Sequence, residues 1–382
     1  PTMAPSDFSA GEADLLMVEK NMSSVTFILN RPKKLNTLSF GMIRRLLELF
    51  MECEHDSNIK LIIVKGNGKA FCAGGDAADV VRVTNKVDWR AASEFFRVEF
   101  TLNYVIATYS KPQVSILNGI VMGGGAGASI HGRFRVATEN SVFAMPETAL
   151  GLFPDVGASY FLSRLPGFLG EYVGLTGIRL DGAEMLACGL ATHYVASGKL
   201  SLLEDALYEV DSSDPVVISA IIDQFSHLPN LKKESFFQRL DMINNCFSQR
   251  TVEDILFALE EEAGNKNDGW ISDTITSLRK ASPTSLKISL RLIRAGRLQG
   301  LAQCLIWEFR VICRVLKGEV SKDLFEGCRA VLLDKDKNPK WEPSKLDIVS
   351  DRMVEHYFLA IKEECELLKL PNRSEPSIHA KL

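Results

Sequence analysis

Two carboxylates, Glu147 and Asp155, lie eight residues apart in the mostly apolar segment 145–157. Apolar surroundings raise the proton affinity of a carboxyl group, which suits general acid or base catalysis near neutral pH. For an isolated pair, helix capping is the simpler interpretation, because Asp155 precedes a helical pattern and an aspartate there accepts hydrogen bonds from helix amides. The residues themselves leave both roles open.

A third acid, Glu99, interrupts the strongly apolar helical run 95–100. A lone acid in such a run is usually a solvent-exposed residue, here within reach of Arg97 or Asn103. Taken without further information, Glu99 is predicted to be a surface residue.

Two glycine-rich segments each follow a predicted strand. Gly74 and Gly75 come after the apolar run 61–64, and the segment 123–127 comes after the strand 114–117. Bare amides at such turns and at helix amino termini suit an oxyanion or a phosphate, although tight turns and close packing explain each segment equally well. The second segment is neither a dinucleotide-binding fingerprint nor a P-loop. As a pair, the segments predict convergent N–H donors that stabilise a developing oxyanion.

Composition excludes several other functions. The net charge of −4 offers no positive field for nucleic acid or anionic lipid, and no apolar run approaches the ~20 residues that cross a bilayer. The sequence G-x-S-x-G is absent, which disfavours a Ser-His-Asp hydrolase. The eight cysteines form no Cys-x-x-Cys pair. We therefore expect reduced structural cysteines and no metal, nucleic acid or membrane partner.

Hydrophobic periodicity changes near residue 200. Before that point, short β-rich runs alternate with helices, which predicts repeated β-β-α units around one core over residues 12–200. After it, helical periods dominate, which predicts a helical region over residues 201–382. Helices are predicted at 42–50, 128–131, 216–225, 236–247, 252–261, 271–280, 285–295, 303–316 and 347–368.

The last three residues are Ala380, Lys381 and Leu382. Ala-Lys-Leu is a close variant of the Ser-Lys-Leu peroxisomal address, which an import receptor reads at a free carboxyl terminus. We therefore expect a peroxisomal location and an import receptor as a partner, with the cytosol and the mitochondrion as alternatives. A homo-oligomer is left open.

Three segments, 71–76, 118–127 and 143–147, resemble in order and separation the signature regions of the crotonase (enoyl-CoA hydratase/isomerase) superfamily. The resemblance is strongest over residues 12–200 and extends more loosely to residue 345. It implies an α/β fold: a crotonase-type spiral of β-β-α units with a helical carboxyl-terminal region.

In that superfamily, two peptide N–H groups polarise the carbonyl of an acyl-CoA thioester, and the matching residues here are Gly75 and Gly124. The resemblance thus implies an oxyanion hole and an acyl-CoA substrate, without a metal or redox cofactor, since CoA is part of the substrate. Lys33 and Lys34 are candidate cations for the CoA phosphates.

The acids indicate the branch of the superfamily. Enoyl-CoA hydratases use two glutamates, of which Glu147 matches one, whereas Gly127 stands at the position of the other. The segment 145–155 and Glu99 resemble the 3-hydroxyisobutyryl-CoA hydrolases, thioesterases of valine breakdown. This resemblance implies that Glu147 activates water or attacks the thioester to form a transient anhydride, that Asp155 orients water or the substrate hydroxyl, and that Glu99 completes the polar pocket.

Three alternatives remain at this point. The substrate could be another short β-hydroxyacyl-CoA, such as 3-hydroxypropionyl-CoA, because one methylene group changes discrimination by only ~1–3 kcal/mol. The reaction could be hydration or isomerisation. The chain could also be a catalytically silent scaffold or RNA-associated component, since a fold alone does not fix function.

Overall fold

Six strands form the larger of two sheets in the computed structural model, which describes residues 15–265, 268–359, 363–364 and 367–373. They are β1 (Leu16–Asn21), β2 (Ser24–Leu29), β3 (Leu61–Gly66), β5 (Gln113–Leu117), β7 (Phe134–Ala137) and β10 (His193–Tyr194), in that spatial order. β1 and β2 are antiparallel, and the other neighbours are parallel.

The smaller sheet contains β4 (Ala70–Cys72), β6 (Ile120–Met122), β8 (Val142–Ala144) and β9 (Leu180–Asp181). Each of its first three strands directly follows a strand of the larger sheet along the chain, so that the polypeptide passes from the larger sheet to the smaller one three times. β4, β6 and β8 are mutually parallel. Their carboxyl ends therefore lie at one edge, and the loops that leave them are neighbours in space.

The larger sheet is covered on both faces. One face contributes to the main hydrophobic core, and the other packs against α8 (Leu200–Tyr208) and α9 (Pro215–Phe225) through residues such as Leu61, Ile63 and Leu203. This arrangement explains why β3 is a continuous apolar run rather than an alternating one.

Helices of the first half lie between the strands. Ser39 accepts a hydrogen bond from the amide of Met42 and caps the first helix. These helices are α1 (Phe40–His55), α2 (Ala77–Lys86), α3 (Trp89–Ala107), α4 (Gly124–Gly127), α5 (Ala158–Leu162), α6 (Leu169–Thr176) and α7 (Gly182–Ala187).

The second half is helical, as its periodicity predicts. Its helices after α9 are α10 (Leu240–Phe247), α11 (Val252–Asn265), α12 (Gly269–Lys280), α13 (Pro283–Gly296), α14 (Leu301–Lys317), α15 (Asp323–Cys328) and α16 (Asp351–Phe358). α14 packs on α3, where the rings of Phe309 and Phe100 meet edge to face with centroids 6.2 Å apart. The main core accordingly contains residues from both halves of the chain, and the boundary near residue 200 stays a prediction.

Two helix predictions were wrong. Residues 128–131 form turns, because the preceding helix α4 is made of the glycine-rich segment itself. The helix predicted over 347–368 begins only at Asp351, where Ser350 caps it, and ends at Phe358. The tripeptide Ala380, Lys381 and Leu382 lies outside the described residues.

Seven of the eight cysteines fall in the described ranges with buried side chains, and all seven are free thiols. The remaining one, Cys365, lies outside those ranges. None of the helices in the described ranges combines the length and the apolar character that a bilayer crossing requires.

Candidate active site

Gly75 lies in the turn that follows β4 and is partly buried. Leu38 pairs with this loop through two hydrogen bonds, from its own amide to Gly74 O (2.8 Å) and from the Asp76 amide to its carbonyl (3.0 Å). In a parallel bridge, the two hydrogen bonds involve the residues before and after the bridged residue, here Gly74 and Asp76. The N–H group of Gly75 itself therefore points away from Leu38.

Gly124 brings a second amide to the same place. It is the first residue of α4, and the first amides of a helix have no acceptor within the helix and carry partial positive charge. A methyl group on Gly124 would lie 3.0 Å from the Gly75 nitrogen and would overlap Oε1 of Glu99. Only glycine allows this approach, and the two glycine-rich turns therefore meet beside an acid.

Glu147 enters the site from β8, the third strand of the smaller sheet. It begins a 3-10 turn, Glu147–Leu150, immediately after Pro146. Its Oε1 would lie 2.9 Å from a methyl group built on Gly123, whereas its Oε2 is buried without a hydrogen-bond partner in the described part of the chain. The carboxyl group therefore lies against the start of α4.

Glu99 is buried, in contrast to the surface position that its lone occurrence suggested. Arg97 pairs instead with Glu94 on the exposed side of α3. Oε1 of Glu99 reaches the Gly124 backbone and has no hydrogen-bond partner among the described residues. α3 thus directs one acid inward, onto the two amides.

Asp155 does not cap a helix. Gly157 stands at the amino terminus of α5, and no side chain caps that position by a hydrogen bond. Asp155 is only 5% exposed, compared with 6% for Glu147 and 2% for Glu99. The fold therefore buries all three candidate acids.

Burial is the main cause of the raised pKa values of Glu99, Glu147 and Asp155. The charge of Asp155 raises the pKa of Glu99 and of Glu147 further, and Glu308 does the same for Asp155. Like charges in a buried cluster disfavour simultaneous ionisation. The pKa values of all three acids are therefore raised above those of exposed carboxyl groups, which is the direction that acid–base chemistry at neutral pH requires.

Lys33 and Lys34 lie in an exposed 3-10 turn, Pro32–Lys34. The chain after this turn runs beside the first glycine loop, with the Ala73 amide 3.0 Å from Leu35 O. The two lysines therefore directly precede a residue that borders this loop in space, and their contact with CoA stays a prediction.

The family model described as enoyl-CoA hydratase/isomerase matches residues 24–358. The chain belongs to this family. It is 64% identical over 366 residues to "3-hydroxyisobutyryl-CoA hydrolase 1" of Arabidopsis thaliana, with 96% of each chain covered. It is 43% identical to "Small ribosomal subunit protein mS47" of the same plant, over 94% of this chain and 88% of that protein. Among solved structures, a carnitinyl-CoA dehydratase from Mycobacterium thermoresistibile is similar at TM-score 0.84 and 34% identity, over 93% of this chain and 98% of the other.

Gly127 marks the departure of this crotonase-family chain from the hydratase pattern, and the structure gives a steric reason. A methyl group there would lie 2.7 Å from both Nδ2 of Asn103 and Cβ of Val156. Asn103 is 1% exposed, one helical turn after Glu99, and neither of its amide atoms has a hydrogen-bond partner within the described ranges. A glutamate at residue 127 would therefore require both neighbours to move.

Two further residues of the site were missed by sequence reasoning. His131 and Glu308 both hold the loop that carries Asp155: His131 Nε2 is 2.7 Å from Val156 O, and Glu308 accepts hydrogen bonds from the loop amides. Glu308 lies 153 residues beyond Asp155, inside an ordinary helical period. Only the folded chain reveals its position.

Proposed function

We propose that this chain hydrolyses the thioester of 3-hydroxyisobutyryl-CoA, giving 3-hydroxyisobutyrate and CoA, as a step of valine breakdown. The observation that carries the proposal is the buried carboxyl group of Glu147 against the start of α4, where Gly124 closely approaches the Gly75 nitrogen. The 64% identity to a plant protein of this name, over nearly the whole of both chains, supports the choice of substrate.

The two amides form the proposed oxyanion hole. Negative charge develops on the thioester oxygen when a nucleophile attacks the carbonyl carbon, and preorganised N–H dipoles stabilise that charge without reorganising. Loss of one such donor typically reduces turnover by ~10²- to 10³-fold.

Glu147 is the proposed catalytic carboxylate, and it can act by two stoichiometrically balanced reaction routes. In the first, the ionised group takes a proton from water as the water oxygen attacks the carbonyl carbon, the C–S bond breaks, and Glu147 returns the proton to the departing CoA sulfur. In the second, a Glu147 oxygen attacks, CoA thiolate leaves, and water hydrolyses the resulting anhydride. Either route consumes one water molecule and needs no metal or redox group.

Asp155 and Glu99 provide the remaining polar lining of the proposed pocket. A protonated carboxyl group donates a hydrogen bond and an ionised one accepts it, so each can hold the attacking water or the 3-hydroxyl group of the substrate. Lys33 and Lys34 are proposed as cations for the CoA phosphates. A hydrogen bond to the 3-hydroxyl group would make the pocket prefer a hydroxyacyl group over an unsubstituted acyl group.

A substrate panel tests the proposal by release of free thiol. We expect rapid hydrolysis of 3-hydroxyisobutyryl-CoA, weaker hydrolysis of isobutyryl-CoA, which lacks the hydroxyl group, and no loss of enoyl absorbance with crotonyl-CoA. Faster hydrolysis of 3-hydroxypropionyl-CoA than of 3-hydroxyisobutyryl-CoA would show that the preferred substrate is the shorter acyl-CoA. Consumption of crotonyl-CoA would show that the chain catalyses hydration instead of hydrolysis.

A scaffold role is the second candidate, and the similarity to a protein named as a ribosomal subunit protein favours testing it. Lack of turnover with every acyl-CoA, together with co-sedimentation with ribosomal particles, would support that role. Retention of Glu99, Glu147 and Asp155 in one buried cluster supports the enzyme instead, since a scaffold gains nothing from unneutralised buried acids.

We further propose a peroxisomal address in Ala380, Lys381 and Leu382. Import receptors read such a tripeptide at a free carboxyl terminus. A fluorescent protein fused before residue 1 should enter peroxisomes, and the same fusion without the last three residues should stay outside. Equal distributions of the two fusions would refute the address.

A further inference from the structure

The loop that carries Asp155 adopts a backbone that its sequence does not favour. Val156 has a φ of 54° and Gly157 a φ of 80°. The left-handed region suits glycine but is unfavourable for a β-branched residue such as valine. A residue in this conformation persists only where its surroundings hold it, and such residues cluster at functional sites.

Glu308 holds this loop from α14. Its side chain is fully buried, and its two oxygens accept hydrogen bonds from the Gly157 amide (2.7 Å), the Ser159 amide (2.9 Å) and the Ser159 hydroxyl (2.5 Å). One carboxyl group thus binds three donors from the residues that follow Asp155. All three bonds reach across the boundary between the two halves of the sequence.

The opposite side of the loop is held by His131. The Val156 carbonyl can only accept, so His131 Nε2 donates the 2.7 Å hydrogen bond between them. His131 follows α4, the helix that presents the Gly124 amide. The loop is therefore attached to the oxyanion side of the site by His131 and to the helical half by Glu308.

α14 is itself fixed against the helix that carries Glu99. The ring of Phe309, the residue after Glu308, packs edge to face on Phe100, the residue after Glu99. The guanidinium of Arg97 lies 4.7 Å from the centre of the same ring. Because α14 contacts both α3 and the Asp155 loop, a shift of α14 relative to α3 would change the distance between Glu99 and this loop.

We propose that Glu308 is a positioning residue of the active site: it holds Asp155 in its working place through the backbone of residues 157–159. This inference rests on the proposed hydrolase function for its kinetic consequence. Glu308 does not touch the substrate in this proposal. Its contribution to turnover passes through Asp155, which distinguishes it from a residue that only stabilises the fold.

A double-mutant cycle tests the proposal with 3-hydroxyisobutyryl-CoA as substrate. We expect Glu308→Ala to lower kcat by ~10- to 100-fold with KM changed by less than ~3-fold, because displacement of a catalytic group affects the reaction more than binding. In an Asp155→Asn background, the same Glu308 change should cost less than ~3-fold, since coupled residues are not additive. Equal losses in the two backgrounds, or an unchanged kcat, would overturn the proposal.

Ser159→Ala serves if Glu308→Ala fails to fold, because it removes one donor and leaves the glutamate in place. We expect a loss of ~3-fold in kcat that again disappears in the Asp155→Asn background. A loss that persists there would contradict the proposal.

Hydrogen exchange gives a readout that does not depend on activity. The amides of residues 157–159 should exchange at least ~10-fold faster in Glu308→Ala than in the wild type, whereas the amides of β5 should keep their rates. Unchanged exchange of the loop would overturn the positioning role. A wild type without turnover but with this exchange result would refute the hydrolase function and leave the attachment of the loop intact.

Discussion

The buried acids of this molecule differ in whether a basic side chain compensates their charge. Glu171, on α6, is fully buried, and Nη2 of Arg297 lies 2.8 Å from each of its oxygens. Glu99 and Glu147 are also buried, yet each has a side-chain oxygen without a hydrogen-bond partner. No lysine or arginine in the described ranges forms a salt bridge with either.

We interpret this difference as one between a structural acid, Glu171, and acids proposed to be catalytic. A buried charge is tolerated when an opposite charge and hydrogen bonds compensate its lost hydration. Uncompensated acids lower stability and keep a high proton affinity, which is what a catalytic carboxyl group needs near neutral pH. Arg297 compensates the charge of Glu171, whereas Glu99 and Glu147 have no such partner in the described part of the chain.

The comparison predicts first that an isosteric change at Glu147 removes catalysis. Glu147→Gln should reduce kcat by at least ~10²-fold, because glutamine keeps the shape but can neither accept a proton from water nor attack the thioester. Thiol release from 3-hydroxyisobutyryl-CoA measures the effect. The exposed Glu209→Gln is the matched control and should stay within ~2-fold of the wild type. Activity near that of the wild type in Glu147→Gln would remove Glu147 from the mechanism.

A change at the backbone should have the next largest effect. Gly124→Ala places a methyl group against the Gly75 amide and Glu99, so the two N–H groups can no longer converge. We expect kcat to fall by ~10²- to 10³-fold. Gly198→Ala is the control, since a methyl group at Gly198 has no heavy atom of the described chain within 4 Å. Equal activity of the two variants would exclude Gly124 from the oxyanion hole.

The free energy of unfolding should depend more on the structural acid Glu171 than on Glu99, in contrast to kcat. Glu171→Gln leaves Arg297 without its carboxylate, and we expect the free energy of unfolding to fall by about 2–3 kcal/mol, with kcat of the folded enzyme unchanged. Glu99→Gln should leave the free energy of unfolding unchanged or raise it, because an amide is cheaper to bury than an unpaired carboxylate. Urea unfolding monitored by circular dichroism checks both. Greater destabilisation by Glu99→Gln would reverse the assignment of the two acids.

The smallest expected effect is on the pH dependence of stability. The folded state raises the pKa of Glu99 and Glu147 above the values of the unfolded chain, so it binds more protons between the two values. Stability from this source is complete below the unfolded pKa and is lost as pH rises through the folded pKa. The free energy of unfolding should therefore fall less steeply above about pH 5 in the Glu99→Gln, Glu147→Gln double variant than in the wild type. An identical slope would show that these acids titrate normally.

Part of the candidate site was predicted from the sequence. The two glycine-rich segments predicted convergent N–H donors, and the resemblance to the crotonase superfamily assigned Gly75, Gly124 and Glu147. In the structure each of these three residues follows a strand of the smaller sheet. The helical second half was equally readable, since its core-facing positions repeat with the helical period.

The remainder depends on contacts that leave no local signal. Glu99 looks like a surface acid until the packing of α3 is known, and Glu308 resembles any polar position of an amphipathic helix. Residues 128–131 were misplaced because glycine has low intrinsic helix propensity, and here tertiary packing overrides it in α4. Such residues are defined by the neighbours that the fold supplies.

The attachment of the Asp155 loop to α14 also has a consequence for biosynthesis. The ribosome completes both sheets and all three acids of the pocket long before it adds Glu308. A nascent chain released before α14 would contain every proposed reacting group and still lack the carboxylate that binds the amides of residues 157–159. The proposed reacting groups are thus synthesised before the helix that carries the carboxylate holding the Asp155 loop.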